Sequence, residues 1–300
     1  MRSDRKRTKK RERKERKKKP PLSLGRKVIL VLCMIIFVGS AGILLDYYVN
    51  GLQEQKALEG LNAMKVEKAD LVTDKGIIIG KYVDLYNANN DIIGWIKIKG
   101  TKVDYPVMQT QNDPEYYIHR GFDKEYSNAG TPFMDAYSDI FVPTSNFVIY
   151  GHNMKNGTMF HDLLKYESKE FYEKHKTFKF DTIYKGGQGT YEIVAAAYSQ
   201  IYPKNSKKFK YYRYPGITTE GSFNEFVRGV KSLSIYDTGV TPEFGDQLVT
   251  LSTCAYHTKE GRFFIVGRRV DAKQVKPETA LKELKKKQQE EKAKKEAKQQ

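Results

Sequence analysis

Two residues in this chain have an obvious chemical potential as a pair. Cys254 follows a β-rich run at 246–253, and Arg262 opens a second run at 262–270. Two such runs joined by a short loop containing Gly261 read as a hairpin. A hairpin sets the last residue of one strand beside the first of the next, so a thiol and a guanidinium share one rim of a sheet. A thiolate attacks carbonyls, and a guanidinium stabilises the oxyanion that forms. The bland alternative is that Cys254 is a small buried hydrophobe, the usual fate of a free cysteine. The only other cysteine, Cys33, lies in a distant apolar stretch, which argues against a disulfide.

A catalytic cysteine needs a base. The chain has five histidines: His119, His152, His161, His175 and His257. His175 sits among lysines and reads as a solvated surface residue. His161 opens an apparent helix, as a cap or facing water. His257 falls at the tip of the Cys254–Arg262 loop, and His119, after Tyr116-Tyr117-Ile118, reads as a packed and hydrogen-bonded side chain. His152 follows the run 146–150 and Gly151, so it sits at a strand end, as Cys254 and Arg262 do. Three polar groups on three strand ends can meet on one face of a barrel, against the alternative of a core or surface histidine. A metal reading would use Cys254-x-x-His257 with His152, but Arg262 would oppose the cation and no second ligand pair accompanies it. The metal reading is therefore disfavoured.

The net charge is +17, which suggests nucleic acid until its distribution is read. Residues 1–27 hold 15 Lys/Arg and 3 Asp/Glu, and residues 272–300 hold 10 Lys and 5 Glu. The intervening 28–271 holds 28 of each sign, so the folded body is formally neutral. A nucleic-acid domain concentrates positive charge on its folded face, so no nucleic-acid partner is expected.

Residues 28–45 are 18 positions without a charge, near the lower limit for a bilayer span. Arg26 and Lys27 precede them; Asp46, Tyr47 and Tyr48 follow. Basic residues stay on the cytoplasmic side and Tyr lies at the interface, so the N-terminus is read as inside and the rest as outside. The apolar run continues past Gly39-Ser40-Ala41, which favours a retained single-pass anchor over a cleaved signal. The basic head then reads as a solvated tail drawn to anionic membrane lipid. The chain divides into the head at 1–27, the anchor at 28–45, a helical stalk at 46–79, a body at 80–271 and a Lys/Glu-rich tail at 272–300. The stalk periodicity extends to about Lys75. The tail is expected to be disordered, or at most a solvated helix.

Within the body, strands are expected at 95–98, 103–108, 132–134, 146–150, 177–180, 189–199, 247–253 and 262–270. Helices are expected at 82–90, 159–166, 169–174 and 222–232, the last with Phe223, Phe226, Val227 and Val230 on one side. Many short strands with few helices suggest a closed or nearly closed barrel.

Here the chain resembles a known family. Thr250-Leu251-Ser252-Thr253-Cys254 followed by Gly261-Arg262-Phe263-Phe264-Ile265-Val266 looks like the active-site signature of sortases. The segment 146–154, which carries Tyr150-Gly151-His152-Asn153-Met154, resembles the histidine motif of class B sortases. So do Ile93-Gly94-Trp95-Ile96-Lys97-Ile98, Asp104-Tyr105-Pro106-Val107, Gly130-Thr131-Pro132-Phe133-Met134-Asp135 and Gly157-Thr158-Met159-Phe160. The similarity spans about 80–270 in order; the head, stalk and tail lie outside it. It implies a mainly β fold, an eight-stranded sortase-type barrel with helical insertions. It also implies a cysteine transpeptidase at the surface of a Gram-positive bacterium, working without metal or organic cofactor. On that mapping Cys254 is the nucleophile, His152 the general acid/base and Arg262 the oxyanion or substrate-positioning group. The enzyme would cleave a C-terminal sorting signal of an exported protein after Thr, often of Asn-Pro-x-Thr type in this class. It would pass the protein through a thioacyl-enzyme to an amine of a peptidoglycan precursor or a pilin. The competing readings are a cysteine endopeptidase using water and a non-catalytic surface scaffold.

Overall fold

The computed structural model describes residues 23–142, 144–271 and 273–297; the basic head, up to residue 22, lies outside them. The chain divides into two units at Asn50/Gly51. Helix α1 (Leu24–Ala63) supplies nearly all of what is described in the first. Its 18-residue apolar window has a mean hydropathy of 3.0 and no residue buried by protein. A helix apolar on every side and uncovered by protein is long and apolar enough to cross a membrane.

In the second unit, α1 ends at Ala63, short of the expected limit near Lys75. Leu58, Leu61 and Met64 of this stretch pack on the core. The chain then turns into a two-stranded hairpin, β1 (Leu71–Val72) and β2 (Ile77–Ile78). Thr73 closes the turn: its Oγ1 donates to the Gly76 carbonyl at 2.8 Å and accepts from the Gly76 N–H at 3.2 Å. Such a side-chain turn competes with the helix ladder. After it come α2 (Val83–Ala88), β3 (Ile92–Lys97), β4 (Asp104–Met108), β5 (Phe133–Met134) and β6 (Asn146–Tyr150). The chain continues through α3 (Lys169–Lys174), β7 (Thr177–Thr182), β8 (Gln188–Gln200), α4 (Glu220–Leu233), β9 (Leu248–Cys254), β10 (Gly261–Arg269) and α5 (Pro277–Ala297). Short 3₁₀ helices form at Tyr116–His119, Phe160–Glu167 and Tyr211–Arg213. The tail is thus helical over α5, with Pro277 and Leu281 buried at its start.

Strands β3 to β10 close an eight-stranded barrel in the order β10-β8-β7-β3-β4-β5-β6-β9, antiparallel except for β4–β5 and β6–β9. Alternation along β10 explains how both faces are used. Phe263 and Ile265 join one buried cluster, while Phe264 and Val266 join a second with Phe223, Phe226, Val227 and Val230 of α4. A strand covered on both faces reads as a continuous apolar run, as 263–266 does. The hydroxyl of Thr219 caps α4 by accepting from the Ser222 N–H.

The parallel β6–β9 pair matters most for the site. Its register sets Val148 against Thr250 and Tyr150 against Ser252. At its N-terminal end the hydroxyl of Thr250 donates to Asn146 Oδ1 at 2.9 Å, both residues fully buried. Thr250→Val keeps the volume but leaves Asn146 Oδ1 unpaired in the interior. A loss of about 1–3 kcal/mol in the unfolding free energy is expected, measured by denaturant titration.

Candidate active site

Each of the three sequence-predicted residues stands at a strand end on one rim of the barrel. Cys254 ends β9 and is directly paired with Arg262 in β10. Facing side chains in such a pair have Cβ atoms about 4.5–5.5 Å apart. His152 lies two residues past Tyr150, as Cys254 lies two past Ser252, the partner of Tyr150 in β6–β9. Two bonds carry that alignment past the last paired residues: Gly151 N–H donates to Ser252 O at 3.1 Å, and Thr253 Oγ1 donates to Gly151 O at 2.8 Å. All three residues line one cleft of about 450 Å³, whose walls include Tyr117, Ile118, Phe133, Tyr150, Ile201 and Tyr212. A mostly apolar groove with a few convergent polar groups is the usual form of a substrate site.

Cys254 is a free thiol, half-buried. Its backbone carbonyl accepts from Asn153 Nδ2 at 2.9 Å, and Asn153 Oδ1 accepts from His161 Nδ1 at 2.7 Å. His161 therefore serves a tie between the histidine loop and the cysteine strand, where the sequence suggested a cap or a solvent-facing ring. Behind Cys254, buried Tyr211 shares a 2.6 Å hydrogen bond with Ser252 Oγ and stacks on Phe264 at 4.0 Å between centroids. Burial pushes the Tyr211 phenol well above its ordinary value, so it remains a neutral hydroxyl.

The imidazole of His152 is fixed from outside its own strand. Its Nε2 lies 2.7 Å from the carbonyl of Ile118, in the 3₁₀ helix Tyr116–His119. A carbonyl only accepts, so Nε2 carries the proton and Nδ1 is left as the basic nitrogen. The ring also stacks on His119, centroids 5.4 Å apart and planes at 22°, and His119 stacks in turn on Tyr126. Burial holds the His152 pKa below 6.5; the Ile118 carbonyl opposes that shift, and His119 and Arg262 add to it. At neutral pH the imidazole is a neutral base. The sequence missed Ile118 and His119, because only the tertiary fold brings this short helix against the strand end.

Arg262 donates through Nη1 to the carbonyl of Gly261 at 3.0 Å, and its Nη2 lies 3.9 Å from Glu260. The bond to its own neighbour's carbonyl fixes the fork while leaving other N–H donors for a ligand. Tyr150 donates to Asp135 Oδ2 at 3.1 Å, and both line the cleft. The remaining histidines stand apart from this set. His257 packs against Tyr198, and His175 stacks on Phe171. Among the described residues no group of three His, Cys, Asp or Glu has the arrangement of a metal site.

A strand-end thiol, an imidazole and a guanidinium thus line one cleft on a closed eight-stranded barrel. The sortase domain model matches residues 96–270. The chain is 32% identical to sortase B of Listeria monocytogenes over 251 residues, covering 82% of this chain and 97% of that protein. It is 30% identical to sortase B of Staphylococcus aureus, covering 80% and 93% respectively. Among solved structures, sortase B from Bacillus anthracis in complex with AAEK1 superposes with a TM-score of 0.63 at 25% identity, covering 75% of this chain and all of that one. The Staphylococcus aureus sortase B–substrate complex gives a TM-score of 0.57 at 29% identity, covering 65% and 87%. The chain belongs to the sortase family, in class B, and is a sortase-type cysteine transpeptidase.

The tie from Asn153 to the Cys254 carbonyl yields a test. Asn153→Ala frees the end of β9 from the histidine loop, and a fall in kcat of about ten-fold is expected. Stopped peptide-cleavage assays check this, with circular dichroism to verify the fold.

Proposed function

We propose that Cys254, His152 and Arg262 carry the transpeptidation, with a C-terminal sorting signal as donor and an amine as acceptor. The observation that supports this reading above the others is the meeting of the three strand ends in one cleft. The Cys254 sulfur attacks the carbonyl that follows Thr in the signal, and the C–S bond forms as the carbonyl π pair moves to oxygen. His152 Nδ1 takes the thiol proton and returns it to the departing amine, so that the C–N bond breaks and a thioester remains. An acceptor amine then attacks the thioester, His152 takes its proton, and the sulfur leaves to regenerate the thiol. One amide is exchanged for another, so no nucleotide is consumed.

Arg262 is assigned the oxyanion. The N–H of Ala255, the backbone donor next to the sulfur, is already bonded to Gly261 O at 3.0 Å. That engagement shifts the task toward the guanidinium. Losing one such donor costs about 2.7–4 kcal/mol of barrier. A sortase B has been solved in complex with triglycine, which supports an amine acceptor from a short peptide. The apolar part of α1 is assigned to a single-pass anchor, its N-terminus in the cytoplasm and the barrel outside, where an exported protein and a wall or pilin amine pass.

The decisive measurement incubates the chain with a sorting-peptide library, with and without an added amine, and reads products by mass. Ligated product is expected; free acid alone in the presence of amine would convert the reading to a peptidase. Cys254→Ala is expected to form no thioacyl species, and persistent cleavage would exclude that sulfur. Arg262→Lys keeps the charge but loses the planar fork, and kcat/KM is expected to fall by about a hundred-fold.

The acid limb of the rate follows from His152. Its pKa is lowered, chiefly by burial, so the basic form persists to lower pH than for an ordinary histidine and is lost as pH falls through the lowered value. The acid limb of the wild-type kcat/KM profile is expected to lie below the ordinary histidine range. The rate that remains in His152→Gln is expected to lack that limb.

A further inference from the structure

The histidine is held by the carbonyl of Ile118, and the short helix that carries that carbonyl is braced by a turn that Glu54 of α1 holds. Glu54 lies on the portion of α1 that belongs to the folded unit. Its Oε1 accepts from Ser127 Oγ at 2.8 Å and lies 3.3 Å from the N–H of Ala129. Ser127 Oγ also accepts from the N–H groups of Ala129 and Gly130, both at 3.2 Å. One carboxylate oxygen and one hydroxyl therefore gather a tight turn at Ser127–Gly130.

That turn is pressed against the 3₁₀ helix Tyr116–His119. Ser127 N–H donates to His119 O at 3.1 Å, and Thr131 N–H donates to Tyr117 O at 3.0 Å. Between them Gly130 adopts φ +58°, and a Cβ there would stand 2.4 Å from Ile118 O and 2.6 Å from Tyr117 O. Only glycine permits this approach without strain. Ile118 O is the acceptor for His152 Nε2. The opposite side of the helix is tied down as well: Tyr117 donates to Asp91 Oδ2 at 2.7 Å and accepts from Asn89 Nδ2 at 2.8 Å.

We infer that Glu54 is a positioning residue for the reaction, fixing through the Ser127–Gly130 turn the carbonyl that selects the tautomer and plane of His152. This rests on the assignment of His152 as the acid/base. Glu54 touches neither substrate nor imidazole; it acts by setting where Ile118 O stands. Reacting geometries tolerate little displacement, and a shift near 1 Å can cost about a hundred-fold in rate. Release of one distal tie is expected to cost less than that. The helix that leads to the barrel is on this view part of the catalytic scaffold.

The test uses the full-length chain in detergent, with Glu54→Ala and Glu54→Gln. Glutamine keeps an acceptor oxygen at the same reach, whereas alanine removes it. For Glu54→Ala, kcat toward a peptide recovered from the library capture is expected to fall about five- to twenty-fold, with KM within about two-fold of wild type. Glu54→Gln is expected to recover most of that loss. A second readout needs no turnover: the ¹⁵N signals of the His152 ring, assigned against His152→Gln, are expected to report Nε2–H in the wild type and a tautomer mixture in Glu54→Ala. Should Glu54→Ala fail to fold, Ser127→Ala removes the same turn contacts from the other side and is held to the same kinetic and spectral outcomes. Wild-type kcat with an unchanged ring spectrum in the alanine variant overturns the inference, as does equal impairment of alanine and glutamine variants. A wild-type chain with the expected ring signals but no transfer would instead refute the assignment of the reaction.

Discussion

The candidate site depends on one pairing, the parallel register of β6 against β9. The strands come from distant parts of the chain, and the pairing brings His152 and Cys254 to matching heights on the rim. A slip of one residue would turn every side chain to the other face and separate the base from the sulfur. The register is pinned in the interior by the Thr250–Asn146 bond and at the rim by Thr253 and Gly151. The hairpin partner then adds Arg262 with no further cost in topology, because an antiparallel neighbour necessarily faces the end of β9.

The electrostatics of the site follow from burial more than from charge pairs. The cleft wall is largely apolar, and desolvation holds the imidazole neutral although a carbonyl receives its Nε2 proton. The nearby guanidinium works in the same direction, since a second positive charge beside it is unfavourable. No carboxylate hydrogen-bonds to the ring among the described residues; a backbone carbonyl takes the role of orienting group. A neutral orienting partner fixes the tautomer without stabilising the imidazolium as a carboxylate would. On the proposed assignment, His152 is thereby left able to return its proton to a leaving amine.

Much of this is legible in the residues themselves. The β-rich runs around Cys254 and Arg262 define a hairpin, and the run before Gly151 defines a strand end, so the three polar groups can be named before any coordinates. The eight strands of the barrel are recovered with small shifts at their ends, and α4 is marked by its aromatic side. What escapes the sequence depends on long-range contacts. The β1–β2 hairpin has two residues per strand, too few for alternation to register, so the helical periodicity runs on through it to Lys75. His119 and His161 can be judged only from their neighbours in the chain. Their actual contacts, with His152 and Asn153, exist only once segments distant in sequence or turned back on themselves are folded together. Asn153, directly after the histidine, is the one clue in reach: a polar residue buried beside a strand end needs partners.

The order of the barrel strands along the chain also bears on how the protein is made. The sulfur-bearing strand and its arginine neighbour are nearly the last parts of the barrel to be synthesised, whereas β6, the partner of β9, is made about a hundred residues earlier. Contacts of such long sequence separation form late in folding. Because the chain is made from its N-terminus, the nascent polypeptide has the His152 imidazole long before it has the Cys254 thiol. The proposed trio is complete only once β9 and β10 arrive to shut the barrel. On the proposed assignment, acyl transfer is thereby confined to molecules in which the whole barrel has been made.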